Sequence, residues 1–289
     1  MIGIILAGGT GSRLSPMTIA INKHLLPIYD KPMIYYPLSN LMLAGCKKIL
    51  IVSTTSGINQ ISALLKDGNH LGIEIEYVLQ EDSDGIPSAI NKCQEIVKND
   101  EFWVTLGDNF IFGSRIQEFY NSANKSTNCS IFIKKVGNIK SLGEAIIKSD
   151  KVHQLIEKPN KDTGGFAVTG LYKFNEKFFN YFQKITKSKR GETEILDILD
   201  FYLKDEDLSH YIFGRGVSWI DAGTNRDLIR VSGFVKDLQD MNSALICSPE
   251  ELAITLGLTS RSKIQKYVNS NIKNTDYGKK LLDLFNNEN

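Results

Sequence analysis

The feature that most constrains this chain is an alternation. Short β-branched and apolar runs, IGIILA, KKILIVST and IEIEYVLQ, alternate with longer segments whose apolar residues recur at helical spacing, such as PMIYYPLSNLMLAG. Such a rhythm belongs to βαβ units, whose crossover helices cover both faces of a largely parallel sheet. FWVTLGD at 102–108 reads as a further strand. Beyond it, SIFIKKV, EAIIKS and HQLIEKP are strand-like with no helical pattern between them, so antiparallel ribbons are expected on the parallel core. Helical periodicity returns in GETEILDILDFYLKD and NRDLIRVSGFVKDLQDM, and from Ser248 onward only helix-like segments remain. The expected fold is α/β: a doubly wound mixed sheet over residues 1–239, with a small helical appendage over 240–289 that packs on the core or on another subunit. Within the first half, Pro32 suits the opening turn of a helix and Gly45 the left-handed residue at its end, while Pro37 predicts a kink or a delayed start.

A chain of 289 residues, 42% hydrophobic, buries a large core. Lys and Arg total 34 against 33 Asp and Glu, a net charge of +1, so no global field attracts a polyanion or an acidic membrane. Nucleic acid and membrane are therefore not expected partners. Cys46, Cys93, Cys129 and Cys247 fall singly, without a CxxC pair, and read as buried thiols rather than as a disulfide or zinc framework. The first apolar run is short and lacks a basic flank, and no stretch approaches the roughly 18 apolar residues that span a bilayer. A cytoplasmic protein is expected.

The first strand runs into AGGTGSRL, and a strand followed by a glycine-rich turn is the usual phosphate cradle of open α/β sheets, because glycine lets backbone N–H groups approach phosphate oxygens. Two familiar versions do not fit. A dinucleotide fingerprint would need a third glycine where Leu14 stands and an acidic end to the second strand, which reads IVST. A Walker loop needs a lysine, and the loop has none. What remains is Gly8, Gly9 and Gly11 with Arg13 in the loop and Lys23 further on, a backbone cradle with two cations that suits a triphosphate with pyrophosphate as leaving group. An isolated GGxGxR is equally a tight βα turn with two solvated basic side chains.

Asp108 follows the apolar run FWVTL and Asp221 follows VSWI, so each is expected at the carboxyl end of a strand, where open α/β sheets bind ligands. Two aspartates completed by phosphoryl oxygens and water suit Mg²⁺, although either one alone is more often a turn residue. Ser12 has no histidine beside it to activate it, and His24, His70, His153 and His210 are scattered, so no side-chain nucleophile is expected.

LAGGTGSRL followed by NKHLLPIYDKPMIYYPL resembles the signature of the sugar-phosphate nucleotidylyltransferases. LGDNFIFG, LIEKP, AVTGLY, RGETEILDI, GRGVSWIDAGT and a helical tail opening on CSPEE stand in that family's order, so the similarity spans almost the whole chain. The resemblance implies a Rossmann-like sheet on which a sugar 1-phosphate attacks the α-phosphorus of a nucleoside triphosphate and expels pyrophosphate. It assigns the triphosphate to the backbone of Leu6, Ala7, Gly8, Gly9 and Gly11 and to Arg13, phosphate contacts to Lys23 and Lys158, the sugar phosphate to Arg190, and Mg²⁺ to Asp108 and Asp221. Catalysis then rests on Arg13, Lys23, Asp108, Lys158 and Asp221. The base is expected against QEDSDGIPSA, where the Gln80 amide and the Gly85 backbone match a pyrimidine ring with an N3–H. Asn109, the Gly143 and Val168 backbones and Glu157 occupy the places that hold sugar hydroxyls.

The chain also departs from the family. Leu142 stands where tyrosine is usual, His24 where glutamine is common, Pro87 follows Gly85, and Ser114, Arg115 and Ile116 replace the His-Asp-Leu of a secondary regulatory nucleotide site. The resulting expectation is Mg²⁺-dependent transfer from dTTP to glucose 1-phosphate by a homotetramer or dimer. The alternatives are UTP or another hexose 1-phosphate, or a silent nucleotide-sugar-binding subunit.

Overall fold

β1 (Ile2–Leu6) is buried along nearly its whole length, as a strand without a polar face must be when a sheet is covered on both sides. The structure is a computed structural model that describes residues 1–82, 84–160 and 163–287; Ser83 of the segment expected against the base and residues 288–289 of the expected appendage lie outside the described residues. β1 leads through the glycine loop to two paired dipeptide strands, β2 (Pro27–Ile28) and β3 (Lys31–Pro32), and then to α1 (Tyr35–Leu43). Pro32 therefore lies in a strand rather than in a first helical turn. The helix begins later and takes Pro37 into its opening turn, where a missing N–H leaves no carbonyl unpaired. Gly45, at φ +88°, lies just beyond the helix end as expected.

β4 (Lys48–Ser53), α2 (Thr55–Leu65), β5 (Glu74–Leu79), α3 (Ile86–Asn91), α4 (Gln94–Val97) and β6 (Phe102–Leu106) complete the first half. Thr54 caps α2 by accepting a hydrogen bond from Gly57 N. Next come β7 (Asn109–Gly113) and α5 (Ile116–Lys125), neither of which the sequence reading separates out, followed by β8 (Cys129–Val136), β9 (Gly143–Lys148), β10 (Lys151–Glu157) and β11 (Gly165–Phe174). α6 (Lys177–Phe182), α7 (Ile195–Lys204), β12 (Leu208–Phe213), β13 (Val217–Asp221) and α8 (Asn225–Asn242) precede the tail helices α9 (Pro249–Thr255), α10 (Arg261–Asn271) and α11 (Asp276–Asn287).

Among the described residues the central sheet has nine strands. β6, β1, β4 and β5 are parallel neighbours, and β11 joins β6 antiparallel and carries β9 with β10, and β8 with β12. Alternate residues of β1 and β4 face opposite cores. Ile5, Ile49 and Ile51 pack with α1, α2, α5 and the tail helices, while Ile4, Leu50 and Val52 pack with α3, α6 and α7. The sheet is thus wound on both faces, and each of these fully buried side chains contributes about 1.5–3 kcal/mol. A third, smaller core joins Phe110, Ala222, Leu228 and Val231, so α8 covers the antiparallel ribbon formed by β7 and β13.

Cys46, Cys93 and Cys129 are buried, but Cys247 is only half-buried, with its Sγ 3.9 Å from Ile111 O. Among the described residues, no helix is long and apolar enough to cross a membrane.

Candidate active site

The glycine loop is anchored at its start and open at its middle. Ala7 N donates to Val52 O (2.8 Å), and Ala7 O accepts from Ser53 Oγ (2.7 Å). Gly11 adopts φ +64°, and a Cβ there would lie 2.9 Å from Thr18 Cγ2. Gly9 has nothing within 4 Å of its Cβ position, so its backbone faces a cavity. This cavity, about 240 Å³, is lined by Leu6, Gly8, Gly9, Lys23, Gln80, Gly85 and Asp108, together with His24, Ile86, Ala89, Leu106 and Glu192. Ala7 and Gly11 shape the loop without forming the cavity wall.

Asp108, on the wall of this cavity, and Asp221, on the wall of a second one beside it, come from different sheets. Asp108 follows β6, whereas Asp221 ends β13 in the two-stranded ribbon, opposite Asn109 in register. Ala222 N donates to Asp108 O (3.1 Å) and ties the two together. Lys23 Nζ lies 2.5 Å from Asp108 Oδ2. Burial is the largest influence and pushes the Asp108 carboxyl up, but the charge and hydrogen bond of Lys23, with His24 and the Asp108 backbone N–H, together outweigh it and hold the group below the ordinary aspartate range. Asp221 is the reverse: burial, then the charge of Asp108, raise it to about 6 against the pull of Lys23 and Arg13.

Asp221 Oδ1 is buried with no hydrogen-bond partner. A Cβ at Gly223 would stand 2.8 Å from that oxygen and 3.0 Å from Arg13 Nη2, so the glycine is what leaves the two room to lie side by side. An orphaned carboxylate oxygen near a second, ionised carboxylate is a place a divalent cation would relieve. Two carboxylates, with the remaining places left to water and phosphate oxygens, are a donor set that would fit Mg²⁺.

A second cavity of about 290 Å³ adjoins the first, sharing Ile86, Leu106 and Glu192 with it. Arg13, Asn109, Gly143, Glu157, Lys158, Val168, Arg190 and Asp221 all line it, so the sequence-predicted residues of the sugar side meet here. β11 makes the room for it. Its pairing with β8 shifts between Val168 and Tyr172, and Gly170, at φ +74°, would drive a Cβ to 2.6 Å from Leu106 Cδ1. Asn109, only 2% exposed, donates to Thr169 O (2.8 Å) and accepts from Trp219 Nε1 (3.0 Å), so its side chain braces the wall. Arg190 Nη2 lies between Glu194 Oε2 (2.7 Å) and Glu157 Oε1 (3.4 Å), which orients the guanidinium in advance. Lys158 Nζ is 3.7 Å from Glu157 Oε1. Burial and the charge of Glu194 raise the Glu157 carboxyl, with Arg190 opposing. Leu142 is part of the wall, so the departure from tyrosine falls on the cavity itself.

On the base side, Gln80 follows directly on β5 and is 9% exposed. Gly85, at φ +106°, crosses Thr193 so closely that a Cβ would lie 2.1 Å from Thr193 O; no other residue fits. His24 is buried with Nδ1 2.9 Å from Asn22 Oδ1, and burial, then Lys23, lower it to about 3, so it is neutral at physiological pH.

Sequence reading does not single out His24 as a wall residue, nor Glu192, Glu194 or Trp219. The last three stand inside the quoted RGETEILDI and WIDAGT blocks, which is the signal that could have found them. A larger cavity of about 550 Å³ lies between β10 and β12, beside Asp150 and His210, and contains none of the expected residues. Volume alone would misplace the site.

The sequence profile of the family described as Nucleotidyl transferase matches residues 2–237. A glucose-1-phosphate thymidylyltransferase of Neisseria meningitidis serogroup A is 38% identical over 286 residues, covering 98% of this chain and 99% of that protein. One of the same name from Mycolicibacterium smegmatis is 34% identical over 289 residues and covers both chains completely. A crystal structure from Bacillus anthracis, described as a candidate glucose-1-phosphate thymidylyltransferase in complex with a sucrose, superposes with a TM-score of 0.75 at 34% identity, over 82% of this chain and 96% of that one.

Proposed function

The chain belongs to the nucleotidyl transferase family, and from that premise we propose that it joins dTTP to glucose 1-phosphate, giving dTDP-glucose and pyrophosphate. The observation that carries this reading is the pair of adjoining cavities, one floored by the glycine loop and walled by Asp108, the other lined by Glu157, Arg190 and Asp221.

A phosphate monoester loses its second proton near about pH 6, so the attacking oxygen is already a nucleophile at neutral pH. No general base is needed. In keeping with that, the one histidine on the described walls, His24, is neutral and held by Asn22. An oxygen of the sugar phosphate bonds to the α-phosphorus in line with the departing pyrophosphate, which keeps the electron pair of the broken P–O bond. Arg13 and Lys23 neutralise the charge that accumulates on the triphosphate, and Arg190, fixed by Glu157 and Glu194, holds the incoming phosphate. Asp108 and Asp221 would hold Mg²⁺, which offsets charge on the phosphoryl oxygens when bound.

The test is pyrophosphate release from a panel of nucleoside triphosphates and hexose 1-phosphates. dTTP with glucose 1-phosphate is expected to give the highest kcat/KM, and no release from that pair refutes the reading. Leu142 on the sugar wall favours one second reading, the same chemistry with a different hexose 1-phosphate, which the same panel separates.

A further inference from the structure

The carboxamide of Gln80 has two polar ends, and which of them meets the base decides whether the pocket accepts a ring N–H or supplies one. Three groups settle the matter here. Gln80 Nε2 donates to Asp84 Oδ1 (2.9 Å), and Asp84 Oδ2 accepts from Ser88 Oγ (2.6 Å). Gln80 Oε1 lies on the opposite side, 3.3 Å from the position a Cβ would take on Gly8, at the glycine-loop wall of the cavity. The backbone at Asp84 is fixed as well, because Asp84 O accepts from both Thr193 N (2.9 Å) and Thr193 Oγ1 (2.9 Å).

An ionised carboxylate has lone pairs and no hydrogen, so it tolerates only the NH₂ end of a neighbouring amide. Burial pushes Asp84 up, but the bonds from Ser88 and Gln80, with its own backbone N–H and the charge of Lys187, together outweigh it and keep the group below the usual aspartate range. The flipped amide would set Oε1 against Asp84 Oδ1, acceptor against acceptor, in a half-buried place where neither is compensated.

We propose that Asp84 is a specificity-positioning residue: it locks the Gln80 amide with its carbonyl toward the base, so that the pocket takes a nucleobase bearing a ring N–H at that edge and turns away one bearing a lone pair there. This rests on the proposed function, and it goes beyond it by naming what sets the polarity of the base site. Asp84 itself does not line either cavity among the described residues, so it acts through Gln80.

dUTP and dCTP differ only at this base edge, which makes them the probes, with glucose 1-phosphate as acceptor and dTTP as the activity reference. Asp84→Asn keeps the size and offers both a donor and an acceptor, so either amide orientation is satisfied. The ratio of kcat/KM for dUTP over dCTP is expected to fall at least about 10-fold, because dCTP improves, as recognition edges of this kind discriminate by such factors. Asp84→Ala, which removes the acceptor, is expected to shift the ratio in the same direction, and melting curves of both variants check that the fold persists. A merely structural role would lower both substrates together and leave the ratio alone. An unchanged ratio in a variant that folds and uses dTTP overturns the inference while the function stands. A wild type that releases no pyrophosphate from any pyrimidine triphosphate overturns both.

Discussion

Asp221→Asn takes away a charge from a position where the folded chain, without ligand, has no use for it. The carboxyl stands at about 6 rather than 3.8, chiefly through burial and secondarily through the charge of Asp108, and its Oδ1 has no hydrogen-bond partner. At about 1.4 kcal/mol per pKa unit, ionised Asp221 costs the fold roughly 2–3 kcal/mol. The sign follows from a folded-state value above the unfolded one. Below about pH 4 both states are protonated and the cost vanishes; between about pH 4 and 6 the unfolded chain ionises first and stability falls; above about pH 7 the full cost applies. Urea unfolding of wild type and variant in metal-free buffer is the assay. The variant is expected to match wild type near pH 4 and to exceed it by about 2–3 kcal/mol near pH 8, while turnover is expected to fall by roughly 10²–10³ if this carboxylate holds Mg²⁺ as proposed. A stability difference that does not change with pH, or a variant weaker at every pH, refutes the reasoning.

Asp108→Asn is expected to act with the opposite sign on stability. It leaves Lys23, whose side chain is 10% exposed, without its counter-charge, lowering unfolding free energy by about 1–3 kcal/mol in the same denaturation series and turnover by roughly 10²–10³. Glu157→Gln is expected to reduce kcat/KM for glucose 1-phosphate by about 1.5–3 kcal/mol of transition-state stabilisation with little change in dTTP affinity, measured by steady-state kinetics with each substrate varied in turn. Leu142→Tyr adds a ring and a hydroxyl to the sugar wall and is expected to lower KM for glucose 1-phosphate; a rise in that KM, in a protein that prefers a bulkier hexose 1-phosphate, points to that hexose as the substrate.

The winding of the sheet was legible because it rests on periodicity: Ile4 and Ile5, like Leu50 and Ile51, are apolar neighbours that bury on opposite faces. The antiparallel additions were legible for the same reason, since SIFIKKV and HQLIEKP have no helix between them to carry a crossover. α5 was harder to see because its buried positions, Ile116, Tyr120 and Ala123, are sparse in a polar segment and no side chain caps its start. Pro32 misled because a proline that ends a short strand and one that opens a helix share the same fixed φ. In the site, the motif blocks located the residues but not their partners. Nothing local in the sequence says that Glu194 reaches Arg190 together with Glu157, that Asp84 faces Gln80, or that Asp221 loses its solvation beside Asp108. Those are properties of tertiary approach, and the residues that make it possible, Gly85, Gly170 and Gly223, look alone like ordinary loop glycines.

One face of the β7–β13 ribbon packs in the small core under α8, through Phe110, Phe112 and Ile220, while Ile111, Val217 and Trp219 on its other face join the core that α1, α2 and α5 share with the central sheet. One carboxylate is therefore carried by the central sheet and the other by a ribbon keyed between that sheet's core and α8, joined at their backbones through the Ala222 N–H to Asp108 O bond. Parts of a fold open at different free energies, and α8, whose buried apolar side chains belong to the small core alone, is expected to open before the sheet. The ribbon then loses its support on one face while Ile111 and Val217 still hold the other. As denaturant rises, the amides of α8 are expected to exchange with solvent before the amides of β1 and β4.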